Sequence, residues 1–298
     1  MWPGSGSTVK LIGRPGQVDA IKRHGLKLIS PFGTQVVGIP AFTHPNQIDF
    51  KPEDVVFLCV KGQSTEEALG DLKAVTEDIP VFCFQNGVRN EEIASRYFRR
   101  VYGVMVGVGA IYLTDGEIMA RRDPPGRFVI GRYPDGTDII VDQAAELLEN
   151  AGFRVIKSAS VMAYKWGKLI GNLANSIGAI TDVEKVNTQQ MVQAVQNEAK
   201  GILTEAGIEW VSMDAKARPV ESINNIKALS STWQSLARKQ GTVETEYLNG
   251  EIVRVAERLG RRAPLNEVLL QTCKKMAADR EVPGKYTPQQ LQVLLGLD

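Results

Sequence analysis

The chain has 298 residues, 43% of them apolar and 23% charged, with a formal net charge of +1. That length allows two domains, and the near-neutral charge argues against a nucleic-acid surface or an anionic-membrane surface as the binding partner. The longest apolar runs, 55–60 and 79–84, are too short to span a bilayer, the start carries no signal-peptide pattern, and three scattered cysteines with two histidines make neither a disulfide framework nor a zinc site.

The first half alternates strand-like and helix-like segments. Residues 8–13 read as a strand, 17–24 as a short helix ended by Gly25, and 26–30 and 34–38 as two strands around the turn at Pro31-Phe32-Gly33. A buried strand at 55–60 leads into a helix at 64–75. A second buried strand at 81–84 leads through Asn86-Gly87 into a helix at 91–97. Cys59 and Cys83 lie inside these apolar runs and read as reduced core thiols in a cytoplasmic protein. Extended segments follow at 101–111, 117–120 and 128–130, then a helix at 142–151. Strands alternating with helices predict an α/β fold with a doubly wound parallel sheet.

From about residue 160 only helical periodicity remains, over 162–180, 189–206, 222–239, 242–259, 263–278 and 288–295. The predicted domains are therefore an α/β domain over 1–157 and an all-helical domain over 158–298. The segment at 162–180 is the most informative. Lys168, Asn172 and Ser176 are spaced four apart, with Asn175 beside the last, so these side chains fall on one stripe of a helix. Leu169, Ile170, Leu173 and Ile177 form the neighbouring, buried stripe. Short polar residues are poor helix formers, so a polar stripe of this composition points to use rather than to a solvated face.

Trp166-x-Lys168-Leu169-x-x-Asn172 resembles the central catalytic segment of the ketopantoate reductase family, the NADPH-dependent 2-dehydropantoate 2-reductases. The resemblance extends from about residue 8 to about residue 275. It takes in Val60-Lys61-Gly62-Gln63, the turn Gln85-Asn86-Gly87, Ser230-Ser231-Thr232-Trp233-Gln234, and Thr242-Val243-Glu244 through Asn249-Gly250. It implies a Rossmann domain followed by a helical domain, with the active site in the cleft between them. It implies Lys168 as proton donor to the substrate carbonyl, with Glu244 supporting it as the second catalytic residue. Asn172 and Ser231 would bind substrate, Thr232 being a rival for Ser231 because the spacing is one residue longer here. Arg14, at the end of the first strand, would bind the 2′-phosphate of NADP; Lys61 and Asn86 would face the cofactor. Apart from the resemblance, Lys61 could be a solvated loop residue, Asn86-Gly87 a plain tight turn, and Glu244 a helix-dipole acid.

Two departures matter. The family's second asparagine is Ser176 here; Asn175 next to it could substitute. Moreover, no Gly-x-Gly-x-x-Gly loop follows a strand, since Gly4 and Gly6 have none before them. The Rossmann unit is thus expected to be N-terminally incomplete, either through a shortened start or in a variant that has lost cofactor binding. The expected activity is NADPH-dependent reduction of a 2-keto acid, most simply 2-dehydropantoate to pantoate in pantothenate biosynthesis. Another NAD(P)-dependent 2-keto or 3-hydroxy acid dehydrogenase, or a non-catalytic homologue, is the alternative. The expected partners are NADP and a small 2-keto acid, with neither nucleic acid, membrane nor metal; a homodimer is compatible with the chain.

Overall fold

The computed structural model describes residues 8–120, 122–123, 126–181, 188–212, 221–222, 230–239 and 241–297. The chain divides into two compact units, one comprising 1–85, 90–162 and 214–227, the other 86–89, 163–213 and 228–298.

The α/β unit contains, in chain order, β1 (Leu11–Ile12), α1 (Pro15–His24), β2 (Leu26–Ser30), β3 (Gly33–Val37), β4 (Ala41–Phe42), β5 (Val56–Leu58) and α2 (Thr65–Lys73). It continues with β6 (Val81–Cys83), α3 (Asn90–Ser95), β7 (Val101–Val108), β8 (Ala110–Ile111), β9 (Glu117–Ala120), β10 (Arg122–Asp123), β11 (Gly126–Arg132), α4 (Ile139–Asn150) and β12 (Arg154–Lys157). The main sheet has the order β12-β11-β7-β6-β5. Its pairings are parallel except β7–β11, which is antiparallel. Among the described residues the connection from β7 to β11 runs through the short strands β8, β9 and β10 and carries no helix, the usual element of a parallel crossover. Phe82, Tyr102, Phe128 and Ile130 of this sheet pack on Val141, Ala144, Ala145 and Leu148 of α4. Asp138 starts α4 by accepting from the backbone N–H groups of Ile140 and Val141, each at 3.0 Å, and it also accepts from the Tyr102 hydroxyl at 2.9 Å.

Among the described residues the unit also holds smaller sheets. β2–β3 is the predicted hairpin and joins β9 and β8 in the order β3-β2-β9-β8; β1 pairs with β4, in parallel. A separate small cluster of Val18, Ile21 and Ala41 lies under that pair. β5 is an edge strand of the main sheet, and the residue after it, Cys59, is exposed rather than in the core; Cys83, in a central strand, is buried as expected.

The helical unit is built on α5 (Val161–Asn172), α6 (Ala174–Thr181) and α7 (Gln189–Glu205). After the short strand β13 (Glu221–Ser222) come α8 (Ser231–Ala237), a 3₁₀ turn (Glu244–Tyr247), α9 (Asn249–Arg258), α10 (Pro264–Ala278) and α11 (Pro288–Leu294). Three expected helices differ from this. The one over 162–180 breaks at Leu173. The one from Ser222 is replaced at its start by β13, which pairs with β10; residues 223–229 lie outside the described residues, and Ser231–Ala237 is helical. The one over 242–259 begins as a 3₁₀ turn and resets at Leu248, consistent with the β-branched Thr242, Val243 and Thr245, which are weak helix formers.

The apolar stripe behaves as its periodicity predicts: Leu169, Ile170, Leu173 and Ile177 are all buried. No helix among the described residues is long and apolar enough to cross a membrane.

Candidate active site

Lys168 sits on α5 with its side chain half-buried, and its Nζ donates to Asn86 Oδ1 at 2.7 Å. Asn86 opens the 86–89 turn, which belongs to the helical unit. Desolvation of the ammonium, and then the charge of Lys165, bring the Lys168 pKa down from 10.5 to about 7, while the Glu244 carboxylate pulls it upward. Glu244 is buried at the start of the 3₁₀ turn. Asn86 and Glu244 therefore both act on Lys168 inside one unit, although 82 residues separate Lys168 from Asn86.

The rest of the polar stripe divides at the helix break. Asn172 lies one turn beyond Lys168 and is half-buried. Ser176 is fully buried instead, and its hydroxyl donates to Asn249 Oδ1 at 2.6 Å. Asn175 is half-buried, and its carbonyl accepts from the Ser230 hydroxyl at 3.5 Å. Ser230 is the N-cap of α8, accepting from Trp233 N at 3.1 Å. Ser231 is the first residue of α8 and half-buried, whereas its rival Thr232 is 0% exposed.

The remaining predicted residues lie in the α/β unit. Lys61 is half-buried directly after the β5 segment and opens a single 3₁₀ turn over 62–64. Gln85, just before Asn86, is buried and donates to Thr65 Oγ1 at 3.0 Å, and Thr65 in turn donates to Asn90 Oδ1 at 2.9 Å. Arg14 is exposed at the N-cap of α1, whose first turn carries neither a side-chain cap nor an acid. The Tyr112 hydroxyl lies beside Arg14 and donates to Asp115. A helix N-terminus of this kind, with an exposed guanidinium on it, suits an anionic phosphate. Among the described residues no group of three or more His, Cys, Asp or Glu is placed to hold a metal ion.

Residues 4–135 match the family model described as "Ketopantoate reductase PanE/ApbA", and residues 160–277 match "Ketopantoate reductase PanE/ApbA C terminal". The 2-dehydropantoate 2-reductase of Pyrococcus horikoshii is 30% identical over 273 residues, covering 89% of this chain and 88% of that one. The chain belongs to the ketopantoate reductase family. The crystal structure of a ketopantoate reductase from Ralstonia eutropha JMP134 superposes with a TM-score of 0.76 at 28% identity, covering 93% of this chain and 92% of that one. D-mandelate dehydrogenase in its ternary structure with NADH and anilino(oxo)acetate shares the fold at a TM-score of 0.74 and 19% identity, over 93% of each chain.

In this family member, sequence reasoning passed over two groups, Lys165 beside Lys168 and Arg89 in the turn that Asn86 opens. Lys165 is 3% exposed and lies three residues before Lys168, a spacing that puts both on one helix face. That spacing was readable, but a buried ammonium is not visible in a sequence. Arg89 reaches Glu251, 162 residues away, at 3.0 Å. No local pattern signals that pairing.

Proposed function

We propose that this chain reduces 2-dehydropantoate to pantoate with NADPH, and that Lys168 is the proton donor. The observation that carries the reading is the state of Lys168: a desolvated ammonium, set near pH 7, held by an amide oxygen and flanked by a buried carboxylate. An acid is most effective when its pKa lies near the working pH. The cofactor supplies the hydride when bound. As charge develops on the ketone oxygen, the Lys168 ammonium stabilises it and delivers the proton. Asn86 keeps Nζ oriented, and Glu244 holds a substrate hydroxyl or tunes the lysine. Asn172 and Ser231 orient the keto acid, with Asn175 in place of a second asparagine.

Arg14 and the α1 N-terminus suit the 2′-phosphate of NADP, and Lys61 the cofactor's negative charge. Asp115 stands at the same turn: a Cβ on Gly16 would come within 2.5 Å of its Oδ2.

The direct test is steady-state reduction of 2-dehydropantoate with NADPH and with NADH, by the parent and by Lys168→Ala. Lys168→Ala is expected to lower kcat by about 10²–10⁴, with cofactor affinity and thermal melt close to the parent. A kcat within about threefold of the parent would remove Lys168 from the proton transfer, since a positioned acid contributes far more. A second reading, a related dehydrogenase acting on another 2-keto or 3-hydroxy acid, draws on Ser176. Its hydroxyl is committed to Asn249 and is not available to a substrate. Turnover of a panel of 2-keto acids separates the two.

A further inference from the structure

We infer that Arg89 is a positioning residue, fastening the 86–89 turn to the start of α9 so that the Asn86 amide stays against Lys168. The inference rests on the reading of Lys168 as proton donor and adds a residue that none of its motifs contains.

Three contacts hold Arg89. Its Nε donates to Glu251 Oε2 at 3.0 Å, its Nη2 donates to the Glu246 carbonyl at 3.2 Å, and its guanidinium lies 4.8 Å from the centroid of the Tyr247 ring. The planar fork of arginine can make all three at once; a lysine ammonium on a flexible stem cannot. The anchor is itself rigid. Glu251 is fully buried, and both of its oxygens also accept from Arg254 Nε, at 3.1 and 3.2 Å. A buried carboxylate between two guanidinium groups has no reason to move, because leaving either partner costs desolvation without compensation.

The turn carries a second, independent fastening on the same stretch. Gly87 has φ +85, and a Cβ there would lie 2.8 Å from the Tyr247 carbonyl oxygen, so only glycine allows the backbone to seat that closely. Gly87 and Arg89 thus flank Val88 and grip residues 246–251, while Asn86 at the head of the turn meets Lys168 at 2.7 Å. Glu244 begins the 3₁₀ turn that contains Glu246 and Tyr247. One clamp therefore sets two of the groups that act on Lys168.

The test is a double-mutant cycle on the full chain with Asn86→Ala, Arg89→Ala and the pair. Arg89→Ala should fold, because Arg254 still pairs the buried Glu251. If Arg89 acts through Asn86, each single variant should lower kcat by roughly 10- to 100-fold, and the pair should be no worse than Asn86→Ala alone within about threefold. Arg89→Lys should not restore the loss. Multiplying losses, or an Arg89→Ala kcat within about twofold of the parent while Asn86→Ala falls, overturns the inference and leaves the proton-donor reading standing. A parent without turnover, or an Asn86→Ala variant with undiminished kcat, overturns that reading and the inference drawn from it. A readout free of turnover separates the cases further: acylation of Lys168 at fixed pH, followed by peptide mass spectrometry. Arg89→Ala should speed labelling of Lys168 to the rate seen in Asn86→Ala. An unchanged rate overturns the clamp whatever the activity.

Discussion

At the scale of the residue, the decisive feature is that Lys168 combines an ordinary lysine with an unusual setting. Burial disfavours the ammonium most, Lys165 adds like-charge repulsion one turn away, and Glu244 restores part of the loss, leaving a pKa of about 7. The sign of the pH dependence follows. With Lys168 as the proposed donor, which must be protonated, kcat is expected to be full below about 7 and to fall as the pH rises through that value. Removing the like charge with Lys165→Met should move the fall to higher pH; removing the carboxylate charge with Glu244→Gln should move it to lower pH. The kcat–pH profiles of the three proteins check this, and superimposable profiles would show that neither neighbour tunes the acid. Lys168 itself was legible in the sequence through its spacing with Asn172. Its pKa was not, because desolvation depends on what packs around the nitrogen.

At the scale of the element, the break between α5 and α6 divides the polar stripe into a half-buried part at Asn172 and a fully buried part at Ser176. Gly171 and Asn172 are weak helix formers, and the helix is interrupted at Leu173. The Leu173 carbonyl then accepts from the buried Asn249 Nδ2 at 3.5 Å. Asn249 continues the chain of bonds to Asn266 Oδ1 at 3.0 Å, and Asn266 donates to Glu198 Oε1 at 2.9 Å. Glu198 also accepts from the backbone N–H groups of Leu265 and Asn266, each at 3.0 Å, so it caps α10, whose own N-cap Ala263 offers no side-chain acceptor. Ser176 is drawn into this network, which links α6, α7, α9 and α10. Asn249→Ala leaves several buried polar groups unpaired. It should cost about 1–3 kcal/mol or more by urea denaturation, with the m-value unchanged. Asn172→Ala, on the near side of the break, should cost less than about 1 kcal/mol. Equal losses at the two positions would mean that the network does not set the stability of this region. A second packing device is Gly167, where a Cβ would lie 1.8 Å from the Val211 carbonyl oxygen; the Val211 backbone docks on α5 there, with its N–H 3.0 Å from the Ala163 carbonyl.

At the scale of the whole molecule, stability is expected to be uneven within the α/β unit. β6, β7 and β11 are central strands with side chains in the principal core, and Phe82 stacks on Tyr102 with ring centroids 4.4 Å apart. β1 and β4 are two residues each, pair only with one another among the described residues, and leave Ile12 42% exposed. Two-stranded pairs of this size are marginal, and parallel pairs are normally buried on both faces. Native-state amide exchange should therefore be at least roughly tenfold faster at 11–13 than in β6, β7 and β11. Uniform protection would contradict that ranking. The sequence alone determined the α/β-then-helical plan, the buried stripe of α5 and α6, and the residues that resemble a known catalytic set. These are encoded in local periodicity and short motifs, which report which face of an element avoids water. Tertiary structure alone decided the antiparallel β7–β11 pairing, the helix break that removes Ser176 from the stripe, the exposure of Cys59, and the meeting of Arg89 with Glu251 and of Lys168 with Asn86. Each depends on partners far apart in the chain, and whether a polar group is matched, desolvated or exposed is settled only when those partners pack.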